Sequence, residues 1–172
     1  KEVARRLAAE IRGQDIVARL GGDEFAIIQK LDKPSHEAAI SLALRIIDTI
    51  AKPFDLDGHA ASIGTSIGIA LCPEHGTDPS ELMRKADIAL YAVKAEGRNN
   101  FRIFDGEMMK VAETQEQLEN ELREAIERGE LELYYQPIQD TKTRKIYGAE
   151  ALVRWHHPER GLLLPDKFVP MA

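Results

Sequence analysis

The stretch Arg19-Leu20-Gly21-Gly22-Asp23-Glu24-Phe25 sets a glycine pair between two short apolar runs, residues 16–20 and 24–29. Two glycines between β-rich runs predict a hairpin, because both turn positions can need a positive φ. A turn without Cβ atoms also lets a phosphate or a base press against the backbone. Asp23 and Glu24 open the return strand. Successive strand residues point to opposite faces, so the two carboxylates share a target only on a distorted backbone. Asp23 is the candidate metal ligand and Glu24 the supporting acid, since Mg²⁺ takes one or two carboxylates together with substrate phosphate oxygens. From these four residues alone, an exposed turn carrying solubilising acids fits equally well.

Outward from the hairpin, helical and strand periodicities alternate. Val3, Leu7 and Ile11 fall on one stripe, with Ala4 and Ala8 beside it, in a helix stopped by Gly13. Ser35 caps a helix to about residue 51, with apolar positions Ala39, Leu42, Ala43, Ile46 and Ile50, and Pro53 marks its end. Residues 54–72 read as strands around Asp57-Gly58, with the run from Gly64 to Leu71 buried. Asp78-Pro79-Ser80-Glu81 supplies an N-cap, a first-turn proline and an N3 glutamate. The helix behind it carries Leu82, Met83, Ala86, Leu90 and Val93 on one face and ends at Gly97, before a last strand at about 100–104. The order α, ββ, α, ββ, α, β predicts an α/β (α+β) sandwich, with helices packed on a largely antiparallel sheet. Residues 107–129 follow as an acidic linker helix with the narrow stripe Leu118, Leu122, Ala125 and Ile126, suited to pairing with another helix. Strand-like runs at 131–139 and 145–155 flank the turn Asp140-Thr141-Lys142-Thr143.

Composition narrows the function classes. The chain has 172 residues, one domain or one and a half. A net charge of −6 argues against a broad phosphate-backbone interface such as DNA requires, but not against a small nucleotide site with a few local cations. The single cysteine, Cys72, allows no internal disulfide framework and points to a reducing compartment. No apolar run approaches the roughly 20 residues needed to span a bilayer. The first residue is Lys1 and it opens inside a helical pattern, so upstream sequence is expected.

The string around Gly21-Gly22-Asp23-Glu24-Phe25 resembles the signature of the GGDEF family, the diguanylate cyclases. The likeness continues through Ser66-Ile67-Gly68-Ile69-Ala70, then through Ala86-Asp87-Ile88-Ala89-Leu90-Tyr91-Ala92-Val93-Lys94 and Gly97-Arg98-Asn99, and covers residues 1–106 as the C-terminal portion of such a domain. The resemblance implies a nucleotidyl-cyclase-like fold and two GTP molecules joined into cyclic di-GMP across a homodimer, with Mg²⁺ or Mn²⁺. It makes Asp23 a metal ligand and catalytic residue with Glu24 beside it, and has Gly21 and Gly22 approach the nucleotide and Lys94 and Arg98 hold phosphate. On the residues alone, two cations at a helix end need no more than the helix dipole. Arg12-Gly13-Gln14-Asp15 matches the family's product-inhibition site, to which Arg45, off its helix's apolar stripe and therefore exposed, adds a second arginine. Arginine's planar fork suits phosphate and guanine edges. The family's other metal-binding aspartate and its guanine-reading residues lie upstream of Lys1, so this chain taken alone is expected to be a poor cyclase or none.

A second constellation lies at Gly148-Ala149-Glu150-Ala151-Leu152-Val153-Arg154-Trp155. Alternation puts Glu150, Leu152 and Arg154 on one strand face, where buried charges would need each other or a ligand. With Tyr135-Gln136-Pro137-Ile138, the string resembles the opening of the EAL domain, a cyclic di-GMP phosphodiesterase built on a TIM-type barrel. The resemblance spans residues 130–172 and makes Glu150 a metal ligand and catalytic residue, with Gln136, Leu152 and Arg154 contacting the dinucleotide. Such a barrel takes roughly 250 residues, so 130–172 is expected to be inactive. Its strand faces have nothing in cis to cover them, which predicts disorder, dimer pairing or aggregation. His156-His157 before Pro158 reads as a solvated loop.

These expectations describe a bacterial, cytoplasmic cyclic di-GMP signalling chain, in a parent that an upstream sensor region can tether to a membrane. The first hypothesis is GTP cyclisation centred on Asp23. The second is a non-catalytic module sensing cyclic di-GMP or GTP through Arg12, Asp15 and Arg45. The third is a structural role for the helix at 107–129.

Overall fold

The computed structural model describes residues 1–33 and 35–171, the Met171 side chain excepted. It divides into two units, Lys1–Met109 and the residues from Lys110 onward. The first unit runs α1 (Glu2–Glu10), β1 (Ile16–Gly21), β2 (Glu24–Ile28), α2 (His36–Ala51), β3 (Phe54–Leu56), β4 (His59–Ala61), β5 (Ile67–Ile69), α3 (Pro79–Ala95) and β6 (Phe101–Ile103). The mixed α/β character agrees with the sequence reading. The sheet is less continuous than expected: β1-β2 and β3-β4 are separate antiparallel hairpins, and β5-β6 is a parallel pair.

Local signals account for most of these boundaries. The Ser35 hydroxyl accepts from Ala38 N–H at 3.1 Å, and the Asp78 carboxylate from Glu81 N–H at 2.9 Å. Each satisfies a helix N–H that has no partner within the helix. Glu81 does not complete a reciprocal capping box; its carboxylate takes the Lys85 ammonium at 2.6 Å instead. Asp57 and Gly58 both have positive φ, 53° and 87°, as the primed hairpin turn between β3 and β4 demands.

One apolar core joins these pieces. Leu7 of α1 and Leu42, Ile46 and Ile50 of α2 are buried together, and Val17, Phe25 and Ile27 of the first hairpin pack against them with Ile67 of β5. Each such side chain contributes about 1.5–3 kcal/mol. The Arg6 guanidinium closes the C-terminal end of α2, donating to the carbonyls of Thr49, Lys52 and Pro53 at 3.0, 2.6 and 2.7 Å. It also lies 3.8 Å from the Phe54 ring centroid, and no sequence signal marked either contact.

β5 meets α3 through a glycine. A Cβ on Gly68 would stand 2.0 Å from the Ala86 carbonyl oxygen and 2.3 Å from Leu90 N, so strand and helix touch backbone to backbone. The run from Gly64 to Leu71, expected to be buried, is half-covered; only Leu71 in it is buried. On α3 the buried positions are Ala89 and Val93, while Met83 is exposed, which rotates the packed face from the one read in sequence.

The second unit holds most of α4 (Gly106–Arg128), then β7 (Leu131–Gln139), β8 (Ile146–His157), β9 (Gly161–Leu163) and the short α5 (Pro165–Phe168). The strands form one antiparallel sheet in the order β7-β8-β9. The expected lack of cover holds for much of this sheet, where Leu133, Tyr135, Ile138, Ile146 and Tyr147 are exposed, but not at the Trp155 end. Trp155 is fully buried and packs with Leu118, Leu122 and Ala125 of α4 and Phe168 of α5. The helix read as a linker suited to pairing with another helix packs its stripe on one end of its own chain's sheet, around Trp155. Ile126, placed on that stripe, is exposed.

The two histidines are likewise not a loop but the end of β8. Their side chains diverge as strand geometry requires: His156 Nε2 lies 2.8 Å from Glu132, and the buried His157 Nε2 lies 2.8 Å from Glu121. His157 Nδ1 accepts the N–H groups of Glu159 and Arg160, so Nε2 carries the proton toward Glu121. That bond, first among the causes, holds the Glu121 carboxyl below its usual range. The polar turn is as expected, with the Asp140 carboxylate accepting from Lys142 N–H and Thr143 N–H at 3.0 and 2.5 Å.

Candidate functional site

The glycine hairpin is distorted, but on the strand before the turn rather than at the two carboxylates. Arg19 pairs with Phe25 and Gly21 with Glu24, so Leu20 is an extra, bulged residue. Bulges bend a strand and re-aim side chains, and they recur beside active sites. Of the two glycines only Gly22 has positive φ, 49°. The Arg19 guanidinium braces the turn, its Nε donating to the Gly22 carbonyl at 2.9 Å. A Cβ on either glycine would meet nothing within 4 Å, so the turn is open to an approaching group.

Leu20 and Glu24 form one wall of a shallow cleft of about 210 Å³, and Asp87, Leu90, Tyr91 and Lys94 of α3 form the other. That is below the roughly 300–1,000 Å³ of sites that enclose a whole small molecule; it suits part of a ligand, such as a phosphate group. Glu24 lines the cleft and Asp23 does not. Asp23 makes no hydrogen bond or ion pair among the described residues. Asp87, Tyr91 and Lys94 were not grouped in the sequence reading, although i, i+4, i+7 spacing puts them on one stripe of α3 beside the buried Ala89 and Val93.

Arg98 follows α3 in a run of left-handed residues. Gly97, Arg98 and Asn99 have φ of 112°, 64° and 51°. A non-glycine residue in this region is uncommon and needs support. It comes from Asn99, whose carboxamide oxygen accepts from Thr65 N–H at 3.3 Å and whose N–H donates to the Ser66 hydroxyl at 3.2 Å. These bonds fix the turn that carries Arg98 to the loop entering β5. Lys94 and Arg98 thus leave a helix end that is held in place.

Arg12 and Asp15 lie in the loop between α1 and β1. Both Asp15 oxygens are used, one by Arg12 N–H and one by Lys30 N–H, each at 2.9 Å. Those two bonds, Arg12's first, keep the Asp15 carboxyl below its usual range. The Arg12 guanidinium has no hydrogen-bond partner among the described residues. Arg45, exposed as expected, reaches the end of α1 and pairs with Glu10 at 3.2 Å.

In the second unit, Gln136 pairs directly with Glu150, Tyr134 with Leu152 and Glu132 with Arg154. Directly opposed residues share a sheet face, about 5 Å apart, so Gln136, Glu150, Leu152 and Arg154 are brought onto one surface. That surface is open rather than buried: Gln136 and Glu150 are exposed, and Leu152 and Arg154 half-buried. The expected need for buried charges to neutralise one another therefore does not arise. Arg154 instead sits 5.6 Å from the Tyr134 ring centroid and donates to the Val153 carbonyl at 2.9 Å.

Among the described residues no three His, Cys, Asp or Glu side chains gather into a metal-holding group. The donor set at the hairpin fits a cation that arrives with a phosphate, which needs only one or two carboxylates from the protein. No described helix is long and apolar enough to cross a membrane.

Comparison with known proteins agrees at both units. The family model described as diguanylate cyclase, GGDEF domain, matches residues 1–100, and that of the EAL domain matches residues 119–172. The bifunctional diguanylate cyclase/cyclic di-GMP phosphodiesterase MucR of Pseudomonas aeruginosa is 43% identical over 171 residues, 99% of this chain and 25% of MucR. The cyclic di-GMP phosphodiesterase NbdA of the same organism is 40% identical over all 172 residues, which are 22% of NbdA. The chain therefore spans about a quarter of the length of these relatives. Among solved structures, the GGDEF domain of TpbB (YfiN) from Pseudomonas aeruginosa superposes with a TM-score of 0.62 at 37% identity, over 65% of each chain.

Proposed function

Because the chain belongs to the GGDEF diguanylate cyclase family, with the start of an EAL domain behind it, we propose that it serves cyclic di-GMP signalling through a guanine-nucleotide site at the first hairpin. The carrying observation is the bulged hairpin facing α3, where Leu20 and Glu24, on either side of the open Gly21-Gly22 turn, share a cleft with Lys94. In this reading GTP lays its phosphates toward Lys94 and Arg98, and Gly22 admits them because no Cβ intervenes. Asp23 holds the nucleotide's Mg²⁺ or Mn²⁺. The metal, when bound, draws charge from the phosphate oxygens and eases deprotonation of a 3′-hydroxyl. Glu24 and Asp87 set the local charge that keeps Lys94 in the cleft. A homodimer brings two such sites together, so that the 3′-hydroxyl of one nucleotide meets the phosphate of the other. In the second unit, Gln136, Glu150, Leu152 and Arg154 present one polar surface to the dinucleotide, with Glu150 as its metal ligand.

In the protein that carries this chain, Asp23→Asn is expected to lower conversion of GTP to cyclic di-GMP by about 100-fold or more, as loss of a phosphate-bound cation implies. Chromatography of the products measures it, with a melting curve as control. Wild-type turnover in a folded Asp23→Asn variant would sink the assignment.

A second reading is favoured by one observation, the closeness of Arg45 to the chain leading into Arg12 and Asp15. Two arginines there suit a non-catalytic site for cyclic di-GMP. Arg12→Ala is then expected to weaken cyclic di-GMP binding strongly.

A further inference from the structure

Glu10 holds an arginine that the dinucleotide site would use. It is the last residue of α1, two residues before Arg12. Arg45 Nε donates to its carboxylate at 3.2 Å and Arg45 Nη2 to its backbone carbonyl at 2.5 Å. The Thr49 hydroxyl donates to the other carboxylate oxygen at 2.7 Å. Thr49 first, then Arg45, keeps the Glu10 carboxyl below its usual range, against the opposing effect of burial. The Glu10 carboxylate is therefore ionised and latched at neutral pH. Arg12 and Arg45 thus differ: the Arg12 guanidinium is open while that of Arg45 is engaged.

We propose that Glu10 is an internal competitor for the ligand at Arg45, and so sets the affinity of the Arg12/Asp15/Arg45 site for an anionic guanine dinucleotide. This rests on reading those three residues as a ligand site. Asp15 accepts one backbone N–H on each carboxylate oxygen, which shapes the loop and leaves it further lone pairs for a ligand. A phosphodiester reaching Arg45 meets a carboxylate of its own sign on the same guanidinium. Arginine has five donors in a fixed fork, and Glu10 takes two of the directions they offer. The Arg45 side chain is 48% exposed and that of Glu10 22%, so the pair is reachable from solvent and the exchange needs no unfolding. Half-exposed ion pairs are weak, so the competition adjusts affinity and does not forbid binding.

The test is calorimetric titration of the 172-residue chain with cyclic di-GMP. Glu10→Gln, which keeps shape and removes charge, is expected to tighten binding by about threefold to tenfold, the range of a single partly screened charge. Thr49→Val, which frees Glu10 without removing it, is expected to tighten binding less. In an Arg45→Ala background Glu10→Gln should change nothing. Unchanged or weaker binding in Glu10→Gln would overturn the proposal, since weakening would mean that Glu10 positions Arg45 for the ligand. Tightening that persists without Arg45 would overturn it too. Wild-type binding that is indifferent to Arg12→Ala removes the site reading itself, separately from the part played by Glu10. Absence of binding in both wild type and Glu10→Gln removes the two together.

Discussion

Gly68→Ala is expected to destabilise the first unit strongly, by about 3 kcal/mol or more. The added Cβ would lie 2.0 Å from the Ala86 carbonyl oxygen and 2.3 Å from Leu90 N. Real Cβ atoms do not approach backbone so closely, and neither obstacle is a side chain that can swing away. The helix must retreat from the strand by more than 1 Å, which separates β5 from α3 and disturbs Ile67 in the core beneath. Overpacking usually costs about 1–3 kcal/mol where side chains can yield; against backbone the loss should reach or pass the upper end. A domain of this size has on the order of 5–15 kcal/mol in total. Chemical denaturation followed by circular dichroism would measure it. A wild-type midpoint in the alanine variant would show that the close approach of β5 and α3 is wrong.

Trp155→Ala is the second large effect, and it falls on the second unit. The indole is fully buried, 5.6 Å from the Phe168 ring in an edge-on contact, and its Nε1–H donates to Glu130 at 3.0 Å. Truncation removes the centre of a cluster made by Leu118, Leu122, Ala125 and Phe168 and leaves Glu130 without that donor. A loss of about 3–5 kcal/mol is expected. Hydrogen exchange of the β7 and β8 amides reads it in this unit alone. Those amides should lose most of their protection in the variant, while amides of α2 keep theirs. Unchanged protection in β7 and β8 would contradict the packing of α4 on the sheet.

These two residues also show where the sequence was readable. The Asp78 and Ser35 caps, the Asp57-Gly58 turn and the Asp140 turn are local: residues a few positions apart satisfy one another's backbone, and the letters suffice. The stripe of α2 was equally plain: Ala39, Leu42, Ala43, Ile46 and Ile50 are all buried, and Leu42, Ile46 and Ile50 share one apolar cluster. Gly68 was seen as part of a strand, but its need for glycine depends on a helix whose contact, Ala86, lies 18 residues later. Trp155 was placed on the right strand face, yet its cover came from α4, a helix whose acidic surface read as a linker. The same limit hid the Leu20 bulge, which depends on register, and the Glu10 pair with Arg45, which depends on how α1 lies against α2. Of the candidate site, Gly22, Glu24, Lys94, Arg98 and the Gln136–Glu150 surface were legible as motifs. Asp87 and Tyr91 stand in the same motif string as Lys94, but only the cleft itself distinguishes their stripe from an ordinary solvated helix face.

The central claim is that the bulged Gly21-Gly22 hairpin and the end of α3 together receive the phosphates of a guanine nucleotide. Amide chemical shifts of the chain, recorded as GTP with Mg²⁺ is added, test it most directly. The account predicts changes concentrated at residues 20–24 and 87–98, lost in Lys94→Ala. Shifts that leave both segments unmoved, or that persist undiminished in Lys94→Ala, would contradict it.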